Sequence, residues 1–148
     1  MICVIQRVSQ ASVAVDGQIV GQIGHGMVVL AAVHTIDLSE DVDWTARKLA
    51  SLRIFAGGDR NFDRDVKEIS GSILLVSNFT VAADARKGRR PSLSDAADPV
   101  AGREKFDQLV AAVRAQGANV QIGQFGADMQ VALVNDGPVT FILDSRER

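Results

Sequence analysis

The chain has 148 residues, of which 47% are hydrophobic and 23% charged, and its net charge is −2. That is enough chain to bury the core of one domain, with the balance of an ordinary globular protein. The balance speaks against a generally basic nucleic-acid binder, while leaving room for a local basic patch. No apolar run approaches the ~20 residues that cross a bilayer. Met1–Val8 has no basic segment before its apolar part and reads as a first strand, not a signal peptide. Cys3 is the only cysteine, so no internal disulfide is possible and a reducing, cytoplasmic setting is expected. Ala11–Val15 alternates and ends at Asp16-Gly17, a two-residue hairpin signal, and Gln18–Ile23 returns. Gly24-His25-Gly26 is a second corner. Met27–Val33 is apolar at every position, as a strand buried on both faces would be.

Ser39 is placed to cap a helix over about residues 40–52, with Glu40 and Asp41 at its positive end. Val42, Ala46, Leu49 and Leu52 make its apolar stripe. Arg53–Ala56 reads as a short strand, and the polar, Gly-rich Gly57–Val66 as a loop. Ile73–Val76 is another buried strand, running into Ser77-Asn78-Phe79-Thr80. A long polar connection follows, Ala82 to about Asp98. Asp98-Pro99 then starts a second helix, with Phe106, Leu109, Val110 and Val113 on one face and Gly117 at its end. Val120–Gln124, Met129–Val134 and Val139–Leu143 complete the sheet. The expected fold is α+β and mainly antiparallel: a curved or barrel-like sheet with two helices, in a single domain over residues 1–148.

Catalytic side chains are scarce: no tyrosine, one cysteine and two histidines, His25 and His34. No nucleophile and base stand at a triad's spacing, and the histidines and single cysteine form no local metal site. No metal or other cofactor is expected. Arg86-Lys87-Gly88-Arg89-Arg90 packs four cations into five residues of a net-negative chain. It is either a solvated loop or a phosphate contact. Ser77-Asn78-Phe79-Thr80 is either a strand losing burial, with Phe79 in the core, or a site at a strand end. Asn135-Asp136-Gly137-Pro138-Val139-Thr140 lies between two apolar runs and reads as strand, tight corner, strand. Pro138 removes a donor and fixes φ where the next strand should begin. The hexapeptide is either a turn that contains proline or a stiff backbone finger.

Together these stretches resemble the bacterial and eukaryotic type of D-aminoacyl-tRNA deacylase. The shared residues run from Ile5-Gln6-Arg7-Val8 and Ala11-Ser12-Val13 through Arg53-Ile54-Phe55, Ser77–Thr80, Ala82-Ala83-Asp84 and Arg90-Pro91-Ser92. They end with Ala127–Val131 and Asn135–Thr140. The resemblance implies that family's fold and an ester hydrolase that releases D-amino acids from the 3′ end of mischarged tRNA, with glycyl-tRNA not excluded. It implies a homodimer with its active site at the subunit interface. There Gly137-Pro138, a cis dipeptide supported by Arg7, enters the partner's pocket and leaves no room for an L side chain. By the same resemblance Ser77, Asn78, Phe79 and Thr80 are the catalytic positions, and Met129 joins Gly137, Pro138 and Arg7 in holding substrate. Arg86, Lys87, Arg89 and Arg90 are the candidate tRNA contacts. Water, assisted by the terminal 2′-hydroxyl, is the expected nucleophile. Thr80 orients that water, because no base is visible to activate its hydroxyl. The family usually has Gln where this chain has Asn78, which shortens that amide's reach. Two alternatives stand beside this reading. One is a related deacylase of relaxed chirality acting on L-aminoacyl-tRNA, in which the Gly-Pro bond is expected to be trans. The other is a tRNA-binding protein without activity.

Overall fold

The computed structural model describes residues 1–148. Eight strands and two α-helices alternate along the chain. β1 (Ile2–Val15) and β2 (Gln18–Ile23) form the expected hairpin, with Asp16 and Gly17 both at positive φ (50° and 76°). β3 (Gly26–Ala32) lies antiparallel to the first half of β1. Helix α1 (Ser39–Ser51) follows, then β4 (Phe55–Gly57), β5 (Arg60–Arg64) and β6 (Ser72–Ser77). A 3-10 turn over Phe79–Ala82, helix α2 (Pro99–Ala115), β7 (Asn119–Ile122) and β8 (Gln130–Asp144) complete the chain.

The main sheet runs β2-β1-β3-β6-β7, with β8 on the other side of β1. Pairings of β1 are antiparallel, whereas β3-β6 and β6-β7 are parallel. The expectation of antiparallel hairpins therefore holds for the first half, and the crossovers through α1 and α2 add the parallel pairs. The sheet curls until β2 reaches β7. A Cβ on Gly21 would stand 2.5 Å from the Ile122 carbonyl oxygen, so glycine is what lets the two backbones approach and nearly close a barrel.

Alternation along the strands divides the core. Ile5, Met27, Val29, Ile73 and Leu75 face the helices, meeting Val42, Ala46 and Leu49 of α1 and Phe106, Leu109 and Val113 of α2. Val8, Val13, Val28, Leu74 and Val76 point the other way, into the barrel, with Met129, Val131 and Leu133 packed against them. β3 is apolar on both faces because it is buried on both.

Three sequence expectations are corrected. Ser39 does not cap α1; the capping position is Leu38, whose N–H donates to Asp41 Oδ2 at 2.8 Å. An acid three residues into the helix reaches back to the amide of the capping position, while no side chain at that position caps the first turn. Gly57–Val66 is not a loop, since β4 and β5 pair there, with Phe55 opposite Arg64. Most of β5 is exposed, so it carries no apolar alternation to read. Most consequential is the stretch around Gly137, which is no hairpin. Its two flanking runs are halves of one strand, β8, and both pair with β1.

Candidate active site

The ladder between β1 and β8 explains the odd chemistry of Asn135–Thr140. Gln6 pairs with Thr140 and Val8 with Asn135, so Arg7 alone stands opposite residues 136–139. The surplus is expelled as a bulge, and the missing N–H of Pro138 costs no ladder bond there. Asn135 clamps the base of the bulge. Its Oδ1 accepts from Val139 N–H at 2.8 Å, and its Nδ2 donates to the Thr140 hydroxyl at 3.1 Å. Arg7 holds the bulge from behind. Its Nε donates to the Asp136 carbonyl at 3.0 Å and its Nη1 to the Ile54 carbonyl at 2.8 Å. Asp136 and Gly137-Pro138 remain exposed, Gly137 has φ 140°, and the Gly137–Pro138 peptide bond is cis. A Cβ on Gly137 would lie 2.6 Å from Val139 Cγ2 and 2.7 Å from Val139 N.

Elsewhere on the surface, β3 and β6 end side by side, with Ala31 paired to Ser77. Beyond those carboxyl ends opens a cleft of about 740 Å³. Ends of parallel strands are a common place for ligands. Leu30, Val76, Met129 and Leu133 form the barrel side of the cleft, and Phe106, Phe125 and Leu93 the α2 side. None of its lining residues carries a titratable side chain.

Of the expected site residues, Ser77, Asn78, Phe79 and Met129 line this cleft, and Thr80, Arg7, Gly137 and Pro138 do not. Phe79 is not core; it is 59% exposed. Asn78 braces the 3-10 turn, with Oδ1 accepting from Thr80 N–H at 3.2 Å and from the Thr80 hydroxyl at 2.5 Å. An Asn reaches two residues along its own chain in this way, in the manner of an Asx turn. That is what the shorter side chain does at position 78. One consequence is that the Thr80 amide is already committed to Asn78 and is not free to serve an oxyanion. A second concerns the Thr80 hydroxyl, whose proton points at an amide oxygen that cannot remove it.

The basic run occupies an exposed loop closed by backbone bonds between Asp84 and Ser92, at 2.9 and 2.8 Å. Its four cations are not equivalent. Arg86 folds back on Asp84, with Nε to Oδ1 at 2.9 Å and Nη2 to Oδ2 at 2.8 Å. The Arg86 hydrogen bonds hold the Asp84 carboxyl down at about 2, and the same pairing raises the Arg86 guanidinium. Lys87, Arg89 and Arg90 make no ion pair, so Arg86 is the member least available to a phosphate.

Other reactive side chains lie away from the cleft. Cys3 is fully buried, which pushes its thiol up to about 12. His34 is also buried, and desolvation, aided by the Arg146 charge, lowers its pKa. His25 is exposed at its corner and packs edge-on against Phe55 at 5.3 Å. Sequence reasoning missed Phe125 in the cleft wall, because it sits in an irregular segment. The clamp by Asn135 was signalled only by its place before Asp136-Gly137.

Comparison with known proteins identifies the family. The profile of the D-Tyr-tRNA(Tyr) deacylase family matches residues 4–144. The chain is 51% identical to the D-aminoacyl-tRNA deacylase of Herpetosiphon aurantiacus, over 99% of this chain and 96% of that one. It is 49% identical to the protein of the same name from Desulfitobacterium hafniense, over 97% of each. The solved structure of a c-Myc DNA unwinding element binding protein superposes with a TM-score of 0.91 at 32% identity, over 97% of this chain and 98% of that chain. On a match that runs almost end to end, the chain belongs to the D-Tyr-tRNA(Tyr) deacylase family.

Proposed function

We propose that the protein is a D-aminoacyl-tRNA deacylase, hydrolysing the ester that joins a D-amino acid to the 3′ end of tRNA. Besides family membership, the observation that carries the mechanism is a cleft with no titratable lining side chain. Such a cleft supplies no general base and no charged nucleophile. The aminoacyl ester is already activated, so positioned water, an oxyanion donor and a proton acceptor suffice. Water adds to the carbonyl carbon, and the Phe79 N–H at the cleft edge is the candidate donor to the oxygen that becomes negative. The terminal 2′-hydroxyl relays the proton lost by water to the departing 3′ oxygen. Thr80 acts as an acceptor that orients water or that hydroxyl, since its own proton is given to Asn78. A covalent route through Thr80 would need a base that the cleft does not contain.

Selection against L substrates falls to Gly137-Pro138. The dipeptide lies outside its own chain's cleft, which supports its service in the cleft of a second copy. β8 pairs on one side only, and the exposed Val134 and Ile142 along it (50% and 73%) leave apolar side chains for that copy to cover. Backbone carbonyls held by Arg7 and Asn135 would then meet the α-amino group. An L side chain would meet the bulge, whereas a D side chain or the hydrogen of glycine would not.

The test is deacylation of matched D- and L-aminoacyl-tRNA, with glycyl-tRNA alongside. Turnover of D and glycyl substrates with L spared is the expected result. Faster release from L-aminoacyl-tRNA would select the relaxed relative, and tRNA binding without turnover would select the inactive binder. The shared site is checked by mixing Gly137→Ala subunits with subunits whose cleft is blocked by Ala97→Trp. Heterodimers regain one intact site if the finger and cleft come from different chains, and regain nothing if they come from one.

A further inference from the structure

We propose that Arg103, resting on Phe125 at the wall of the cleft, holds the first phosphate of the tRNA 3′ end, the one that links the terminal nucleoside to its neighbour. The inference rests on the deacylase reading and names a contact that this reading lacks. Arg103 Cζ lies 4.8 Å from the centre of the Phe125 ring, and its Nη2 donates to the Phe125 carbonyl at 3.1 Å. Phe125 lines the cleft and packs on the buried Phe106, with ring centres 6.0 Å apart. The guanidinium is therefore fixed to a residue of the cleft wall without itself lining the cleft. Only one of its five N–H donors is used, and no carboxylate pairs with it. A guanidinium held by an aromatic face and a carbonyl has lost little further freedom to lose when it binds.

Charge is distributed to match such a substrate. The cleft is uncharged, as suits a base and an aminoacyl group; the cations stand outside it. Arg103 is on the α2 side, and Leu93, which lines the cleft on that same side, directly follows Arg89-Arg90-Pro91-Ser92. A single strand whose last nucleoside is in the cleft presents its first negative charge just beyond the wall, where Arg103 is. Later phosphates would fall to the loop. An arginine on an aromatic ring beside a basic track is a recurring way of holding single strands.

The competing explanation is that Arg103 only braces Phe125. Three substrates separate the two: D-aminoacyl-tRNA, 3′-D-aminoacyl-adenosine, and that adenosine carrying a 5′-phosphate. With Arg103→Gln, KM should rise about tenfold for the tRNA and for the 5′-phosphorylated nucleoside. It should not change for the unphosphorylated nucleoside, and kcat should hold throughout. The dependence of log KM on log salt for the tRNA should weaken by about 0.7. Arg103→Lys should recover part of the loss, keeping charge without the fork. Equal losses on both nucleosides, or no loss on any substrate, would overturn the phosphate contact. A wild-type protein inactive on all three would instead end the deacylase reading itself.

Discussion

Two segments that leave the sheet are brought to the substrate by the proposed function, and they are built in opposite ways. The bulge of β8 is fastened at every side: Arg7 holds the Asp136 carbonyl, and Asn135 holds Val139 and Thr140. The basic loop is closed only at its stem, by the Asp84–Ser92 bridge, and residues 85–95 are exposed. The difference follows from what each segment would recognise. Telling enantiomers apart requires carbonyls placed to a fraction of an ångström. Attracting a polyanion requires cations near a path, and their exact orientation matters little. A change in the bulge should therefore alter turnover and selectivity with tRNA affinity intact. A change in the loop should do the reverse.

The sharpest way to break this division is Gly137→Ala. Its Cβ would fall 2.6 Å from Val139 Cγ2, at a φ of 140° that L residues rarely adopt. The bulge must shift, and a displacement near 1 Å at a positioning element costs on the order of 100-fold in rate. D-aminoacyl-tRNA kcat/KM should fall by about that factor, while the tRNA dissociation constant stays within about twofold. Gel-shift and deacylation measurements on one preparation decide it. Full activity would mean that the bulge does not touch substrate.

Arg7→Lys is the gentler form of the same test. Lysine keeps the charge, but one ammonium cannot bridge the Asp136 and Ile54 carbonyls as the fork does. A loss of about tenfold in kcat/KM is expected, from one hydrogen bond to a charged group. The D-to-L rate ratio should narrow in step, because the finger loosens while the cleft is unchanged. An unaltered ratio would move selectivity away from the bulge.

How much of this was legible in the sequence depended on whether a signal was local. The β1–β2 hairpin was, because Asp16-Gly17 fixes its own turn and the neighbouring strands alternate. So were the start of α2, where Asp98 accepts from Val100 and Ala101 N–H, and the double-sided burial of β3. The bulge was not, because Asp136-Gly137 is a sound hairpin signal in isolation. It loses to a partner more than a hundred residues away, since β1 is long enough to pair with both halves of β8. β5 escaped notice because its side chains are polar and mostly exposed. At the site, the resemblance supplied which residues to inspect, and three-dimensional contacts supplied what they touch. Nothing in Arg86-Lys87-Gly88-Arg89-Arg90 says that one arginine is tied to Asp84. Nothing at Asn78 says that its oxygen takes both the amide and the hydroxyl of Thr80.

Thr80 tests the boundary between backbone and side-chain chemistry. Thr80→Ala removes an acceptor but no base, so a loss of about fivefold is expected, well short of the 10²–10³ that follows removal of an oxyanion donor. Thr80→Ser should be close to wild type, keeping the hydroxyl that Asn78 accepts from. A folded, tRNA-binding Thr80→Ala protein with no measurable turnover would revive a covalent mechanism.

The smallest effect lies inside the loop itself. Arg86 and Arg89 have the same charge and sit three residues apart, yet only Arg86 is held on a carboxylate. Pairing leaves the Arg86–Asp84 unit nearly neutral seen from a distance, and the Asp84 carboxyl at about 2 keeps that pairing through the whole neutral range. Releasing Arg86 to a phosphate would expose Asp84 to the same phosphate, which cancels most of the gain. Arg89→Gln should therefore weaken tRNA binding by about two- to threefold and lower the salt slope by about 0.7, the mark of one lost contact on a single strand. Arg86→Gln should leave the slope nearly unchanged. Asp84→Asn supplies the control, because it frees Arg86 without adding a cation. In that background affinity should rise slightly, and a following Arg86→Gln should cost as much as Arg89→Gln does. If Arg86→Gln alone flattens the slope as much as Arg89→Gln, the ion pair opens on binding and the loop acts as four equal charges.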